Sequence, residues 1–461
     1  MSTLLVRHAA LVATFDDQRR ELPDAGLFVR DGFIEQVDTT SDLPTEADEI
    51  LDLRGHILLP GLINTHHHFY QTLTRAVPAA QNANLFNWLV TLYPIWARLT
   101  PQDITLSTQT ALAELALSGC TTAADHLYIF PNGARLDDEI EAAHSLGLRL
   151  HASRGSMSVG ESDGGLPPDT VVEPEEHILT DSQRIIERYH DARPGAMAQI
   201  ALAPCSPFSV SQNLMRETAR LARQYRVRLH THLAETQDEE DYTQEHFDQR
   251  PVAWLQTLDW LGEDVWFAHS VHINDDEIGQ YARLGCGVAH CPSSNMRLAS
   301  GIAPIAKMLT AGVKVGLGVD GSASNDSSHL LSEARQAMLL ARLDAGLRGA
   351  SLSEGEAPAL MNARQVLELA TRGGAAVLGR NDIGSLQPGK CADFFAVNLE
   401  QLDYAGALHD PLAALVFCAS LKADYTVVAG RFIVKEGNMV TLDLPAHIEK
   451  HNRAAQRLLE G

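Results

Sequence analysis

Short apolar runs separated by helical patterns organise most of the chain. Eight of them read as buried strands, over residues 61–66, 121–126, 148–153, 200–204, 227–232, 265–269, 287–290 and 313–320. Between them the spacing predicts helices over residues 139–146, 212–224, 275–284 and 329–343. Another opens at Thr100-Pro101, a cap followed by a first-turn proline, and stops at Gly119. Eight strand–helix alternations predict an α/β fold, a closed (β/α)8 TIM-like barrel whose functional groups gather at the C-terminal ends of its strands. An open doubly wound sheet is the structural alternative, but no Gly-x-Gly-x-x-Gly follows the early strands.

The two ends of the chain have a different texture. Runs at 4–6, 11–15, 27–29 and 33–37 alternate apolar and polar positions, with Asp31-Gly32 as a hairpin signal. Residues 391–397 and 425–434 look the same, with Ala429-Gly430-Arg431 as the turn. These ends predict one small β-sandwich built jointly. The expected division is residues 1–60 as the N-terminal part of the sandwich, 61–380 as the barrel, and 381–461 as the rest of the sandwich with a terminal helix. Residues 154–175, rich in Gly, Ser, Pro and acid, follow the third strand and are expected to form a lid over the barrel mouth.

Composition narrows the chemistry. The 461 residues are 45% hydrophobic and 21% charged, which describes a globular protein of enzyme size. Lys and Arg number 36 against 59 Asp and Glu, so the net charge of −23 repels phosphate backbones. No nucleic-acid partner is expected, and any nucleobase chemistry falls on free bases or small heterocycles. No leader segment and no apolar run of membrane length is seen, so the expectation is a cytoplasmic protein with no membrane partner. The six cysteines are scattered, without a Cys-x-x-Cys pair. The Pro-Cys-x-x-Cys zinc signature of cytidine deaminases is missing, since Pro204-Cys205 is followed by Ser206, Pro207 and Phe208.

Metal-competent side chains stand at the ends of several predicted strands. His66 and His68 share one face of the first strand's end, with His67 on the other. Taken alone, that pair is as readily hydrogen-bonded as ligating. His232 ends the fifth strand and Asp320 the eighth, and together the four offer three imidazoles and one carboxylate to a single divalent ion with a position left for water. Glu235, three residues past His232, is placed to move protons, and His269 at the end of the sixth strand to orient the attacking water. His230, on the same strand face as His232, reads as a lower-layer barrel residue, and His126, His151, His272 and His290 as structural histidines.

Asn64-Thr65-His66-His67-His68, Thr231-His232-Leu233-Ala234-Glu235, Ala268-His269-Ser270, His290-Cys291-Pro292-Ser293-Ser294-Asn295 and the run Gly318 through Asp326 together resemble the amidohydrolase superfamily in its mononuclear aminohydrolase branch. The likeness spans essentially the whole chain, from Pro60-Gly61-Leu62-Ile63 to Gly389-Lys390-Cys391-Ala392-Asp393. It implies hydrolytic deamination dependent on Zn2+, with Fe2+ as the alternative. The resemblance further implies that a metal ion would activate water toward the ring carbon bearing the amino group, that Glu235 would protonate the adjacent ring nitrogen, and that Asp320 and His269 would take up or orient the water proton. The implied substrate is a small heterocycle, foremost the oxidised purine 8-oxoguanine, which would give uric acid. Hydroxytriazines, guanine and isocytosine are the alternatives within the branch. Binuclear members that open cyclic amides carry a bridging lysine at the fourth strand's end, and residues 201–207 have none, which implies a single metal. Barrels of this family commonly form homo-oligomers, and the same is expected here.

For the pocket, Trp88, Tyr93 and Trp96 are candidates for an aromatic wall, and Gln71 for pairing with a ring carbonyl and ring nitrogen. The family position of Gln71 supports that role. Arg154, Cys205, Ser206 and Asn295 are further candidates for substrate contact.

Overall fold

The computed structural model describes residues 2–349, 361–419 and 422–460. Eight parallel strands close into a barrel: β1 (Leu62–Asn64), β2 (Cys120–Leu127), β3 (Arg149–Ser156), β4 (Ala198–Pro204), β5 (Arg228–Leu233), β6 (Val265–His269), β7 (Gly287–His290) and β8 (Lys314–Leu317). Leu317 pairs with Asn64 to shut the ring. Strand alternation sorts their side chains. Ile200, Leu202, Leu229, Phe267, Val288 and Val315 face the surrounding helices and join the main core. Ile63, Ala124, Ala201, Trp266 and Ala289 face inward and meet Ala375 and Val377 at the floor of the barrel.

The helices follow local sequence signals. Pro101–Leu117 starts on a capping box between Thr100 and Asp103, with Pro101 in its first turn. Asp275–Leu284 is capped by Asn274 and ends on left-handed Gly285. Helix Leu85–Trp96, in the stretch after β1, carries the aromatic residues considered for the pocket.

Both chain ends contribute to one nine-stranded mixed sheet. Its join lies where His56–Pro60 pairs antiparallel with Phe394–Asn398 and parallel with the first strand, Thr3–Ala13. The sheet has its own core, including Val6, Val12, Leu27, Leu58, Phe394 and Val427. The Asp31-Gly32 hairpin turn has positive φ at both residues, +49° and +83°, as a type I′ turn requires. A Cβ on Gly32 would come 2.8 Å from the Ala429 carbonyl oxygen, so this turn packs against the Ala429-Gly430 turn through a bare Cα. A buried bidentate pair fastens barrel to sheet: Arg149 on β3 donates from Nε and Nη2 to Asp393 at 2.6 and 3.0 Å.

Residues 154–175 are packed onto the loop after β4. Ser158 and Val159 donate their amides to the Ser209 carbonyl, and Glu173 returns its amide to Met157. Among the described residues, no helix is long and apolar enough to cross a membrane.

Candidate metal centre and active site

At the C-terminal mouth of the barrel, buried His66, His68, His269, Glu235 and Asp320 meet half-buried His232 in one place. Nε2 of His66 and Nε2 of His68 lie 3.3 and 3.4 Å from Oδ1 of Asp320. Nε2 of His68 lies 3.1 Å from Nε2 of His232. His269 places its Nε2 3.6 Å from Glu235 Oε2 and 3.9 Å from Asp320 Oδ2. His66, His68 and Asp320 form one set of donor atoms within 4.8 Å of one another, and His66, His232 and His269 another.

Each ring has its other nitrogen tied down, which decides its tautomer. Nδ1 of His68 donates to the His126 carbonyl at 2.7 Å, and Nδ1 of His232 to the Cys205 carbonyl at 2.7 Å. Nδ1 of His269 donates to Asn295 Oδ1 at 2.9 Å. For His66 the lock is a relay: Nδ1 of His230 donates to the Trp266 carbonyl at 2.9 Å, leaving its Nε2 to accept from Nδ1 of His66 at 2.8 Å. Every Nε2 is therefore a bare lone pair. Burial pushes the imidazoles of His66, His232 and His269 below their ordinary value, and that of His68 to about 3, so all four are neutral and able to ligate.

Two lone pairs 3.1 Å apart, as on His68 and His232, repel unless a cation lies between them. Tetrahedral ligands about 2.1 Å from a metal stand about 3.4 Å from each other, which matches this spacing. The donor set thus fits a metal ion. Burial opposes ionisation of Asp320, but in acid, where His66, His269 and His68 carry protons, their pull outweighs it and holds the carboxyl well below the usual range. Glu235 is the reverse case: burial, helped by the Asp320 charge, pushes it up to about 7 against the pull of His232, and it accepts a 3.3 Å bond from Ser300 Oγ. It is poised to carry a proton at neutral pH.

Backbone conformation aims two of these groups. Val265 and Phe267 on β6 face the helices, so plain alternation would send His269 outward as well. A φ of +71° at His269 turns it into the site, and Asp320 sits at +62°. Left-handed non-glycine residues are uncommon and gather at functional positions.

The adjoining pocket is lined by Gln71, Leu85, Trp88, Leu89, Tyr93, Tyr128, Cys205, Ser206, Phe208, Leu298 and Ser324, beside the metal-competent groups. Trp88 is fixed by its indole N–H to the Ala323 carbonyl at 3.0 Å. Gln71 Oε1 accepts from the Ala323 amide at 3.3 Å. A Cβ on Gly321 would fall 1.9 Å from that oxygen, so glycine there lets the Gln71 amide lie against the turn after Asp320. Burial holds the Cys205 thiol up at about 12, which keeps it neutral. Ser206 Oγ pairs with Ser209 Oγ at 2.9 Å.

Three expectations need correction, the first being Asn295, which does not line the pocket and instead accepts from His269. Arg154 does not reach the pocket: it shares the strand parity of Leu150 and Ala152, which face the helices. Its guanidinium is spent on Glu173 at 3.0 Å and Asp181 at 2.8 Å and lies over the Phe130 ring. Trp96 lies behind the wall, donating to Thr74 Oγ1 and packing edge-on against Tyr70. Leu85, Leu89, Tyr128, Phe208 and Leu298 were not anticipated, since apolar residues in loops and helix faces carry no chemical signature. His230, expected as a lower-layer barrel residue, also supplies through its Nε2 the acceptor that fixes His66.

The sequence profile of the amidohydrolase family matches residues 57–433. The chain belongs to the amidohydrolase family, and the fold and site just described make it a hydrolase of carbon–nitrogen bonds. Among its relatives is the 8-oxoguanine deaminase of Pseudomonas aeruginosa, 51% identical over 439 residues that cover 95% of each chain. Hydroxydechloroatrazine ethylaminohydrolase of Pseudomonas sp. (strain ADP) is 37% identical over 460 residues, 96% of this chain and 93% of that one. The crystal structure of atrazine chlorohydrolase from Arthrobacter aurescens TC1 complexed with zinc superposes with a TM-score of 0.92 at 34% identity, covering 98% of this chain and 100% of its own.

Proposed function

We propose that the protein is a hydrolytic deaminase of oxidised purines, converting 8-oxoguanine and water to uric acid and ammonia. The carrying observation is the placement of protonatable Glu235 beside the neutral imidazoles and Asp320, at the edge of an aromatic pocket, in a chain so similar to an 8-oxoguanine deaminase. His66, His68, His232 and Asp320 would hold a single divalent ion, zinc or alternatively iron, which when bound supplies a hydrolytic nucleophile by acidifying water to near neutrality.

The chain's own groups do the rest. Glu235 donates its proton to the ring nitrogen next to the carbon that bears the amino group, making that carbon electrophilic. His269, steered by Asn295, orients the attacking oxygen, and Asp320 accepts its proton and returns it to the departing nitrogen. A carbon–oxygen bond forms, the exocyclic carbon–nitrogen bond breaks, ammonia leaves, and the oxygen's remaining proton returns to Glu235 as the new carbonyl forms. Gln71 pairs with the ring edge, while Trp88, Leu89 and Phe208 cover the ring faces and exclude water. The separate core of the terminal sheet supports the division into a barrel, 61–380, and an accessory unit from residues 1–60 and 381–461.

The test is ammonia release from a panel of 8-oxoguanine, guanine, isocytosine, isoxanthopterin and a hydroxytriazine. The expected result is the highest kcat/KM on 8-oxoguanine. A tenfold or greater preference for another member would overturn the substrate assignment and leave the reaction class standing.

A further inference from the structure

Glu239 carries a buried carboxyl group at the edge of the pocket that the reaction as described does not use. It is the third residue of helix Gln237–Phe247, where a glutamate ordinarily reaches back to the amide of the cap residue, here Thr236. Instead it reaches further. Oε1 accepts the amide of Ala234 at 2.7 Å and Oε2 the amide of Glu235 at 3.1 Å. Ala234 is left-handed, with a φ of +51°, and its carbonyl accepts the amides of Val271 and His272 at 2.9 and 2.8 Å. One strained residue between His232 and Glu235 is thus held from both sides, by a carboxyl group on its amide and by the loop after β6 on its carbonyl.

We infer that Glu239 is a positioning residue for the reaction: its two oxygens clamp consecutive amides and so aim the Glu235 side chain at the substrate. This rests on the proton role proposed for Glu235. Burial lifts Glu239 to about 8 against the pull of the two amides, and in either protonation state both of its oxygens keep a lone pair for an N–H. An amide in its place offers one acceptor and turns an NH2 group toward the other N–H.

The test is a double-mutant cycle on the metal-loaded enzyme, with Glu239→Gln, Glu235→Gln and the pair together, following kcat, KM, metal content and melting temperature. Glu239→Gln is expected to lower kcat about 10- to 100-fold, the size of effect that a small misplacement produces, with KM and metal content little changed. In the Glu235→Gln background the same substitution is expected to add nothing. Glu239→Asp, too short to reach both amides, provides a second variant with the same expectation. Full activity of Glu239→Gln beside a crippled Glu235→Gln overturns this inference alone, as does an equal loss in both backgrounds. Near-normal turnover of Glu235→Gln overturns the proton role of Glu235 and this inference with it.

Discussion

Nε2 of His230 accepts a hydrogen bond from Nδ1 of His66 across 2.8 Å, and that contact leaves the opposite nitrogen of His66 facing the site as a lone pair. His230 is itself fixed by the Trp266 carbonyl and stacked on the Trp266 ring, 4.4 Å between centroids. His230→Phe keeps the stacking and removes the acceptor. Such outer partners are typically worth about 10- to 100-fold in metal affinity, and that loss is expected in competition with a chelator. Unchanged affinity would mean that His66 does not need the relay.

Glu235→Gln keeps the shape of the side chain and removes its proton. It is expected to retain metal and to lose about 10²- to 10⁴-fold in kcat, the usual worth of a positioned acid–base group. Steady-state rates alongside elemental analysis check both halves.

Arg154 serves the scaffold. Arg154→Met leaves Glu173 and Asp181, both largely buried, without their shared cation. Breaking a buried ion pair from one side costs about 3–5 kcal/mol, so a clearly lower melting temperature is expected, with KM for the substrate within about twofold of wild type by the same absence of pocket contact. A large rise in KM at unchanged stability would restore Arg154 to the pocket.

Much of this was legible in the sequence, for identifiable reasons. The eight strands show because buried parallel strands are short apolar runs, and His66, His68, His232 and Asp320 show because polar residues at the ends of such runs have few structural uses. Arg154 misleads because its place at a strand end says nothing of parity, which here follows Leu150 and Ala152 outward. His269 reaches the site by a route the sequence does not display, since the left-handed turn that brings it inward has no glycine to announce it. The His230 relay joins β5 to β1, and no local pattern records a bond spanning 164 positions.

Glu333 gives a pH signature in stability. It bridges the loops after β7 and β8, accepting from the Ser293 amide at 3.2 Å and Asn325 Nδ2 at 2.9 Å, and burial pushes it from 4.5 up to about 7. With a raised pKa the folded state holds the proton that the unfolded chain gives up first. Its contribution is therefore fully present below pH 4.5 and is lost as pH rises through about 7. At about 1.4 kcal/mol per unit this amounts to roughly 3 kcal/mol as an upper figure. Urea unfolding at pH 5 and pH 8 should show Glu333→Gln gaining on wild type at the higher pH, and an equal difference at both would remove Glu333 as the source.

The account turns on His66, His68, His232 and Asp320 forming one metal site that drives deamination. The direct measurement is ammonia and urate formation from 8-oxoguanine by protein stripped with a chelator and then titrated with Zn2+ or Fe2+. The account predicts no product from the stripped protein and activity that rises linearly to a plateau at one metal per chain, with ammonia and urate in equal amounts. A plateau at two metals, or full turnover by the stripped protein, would contradict it.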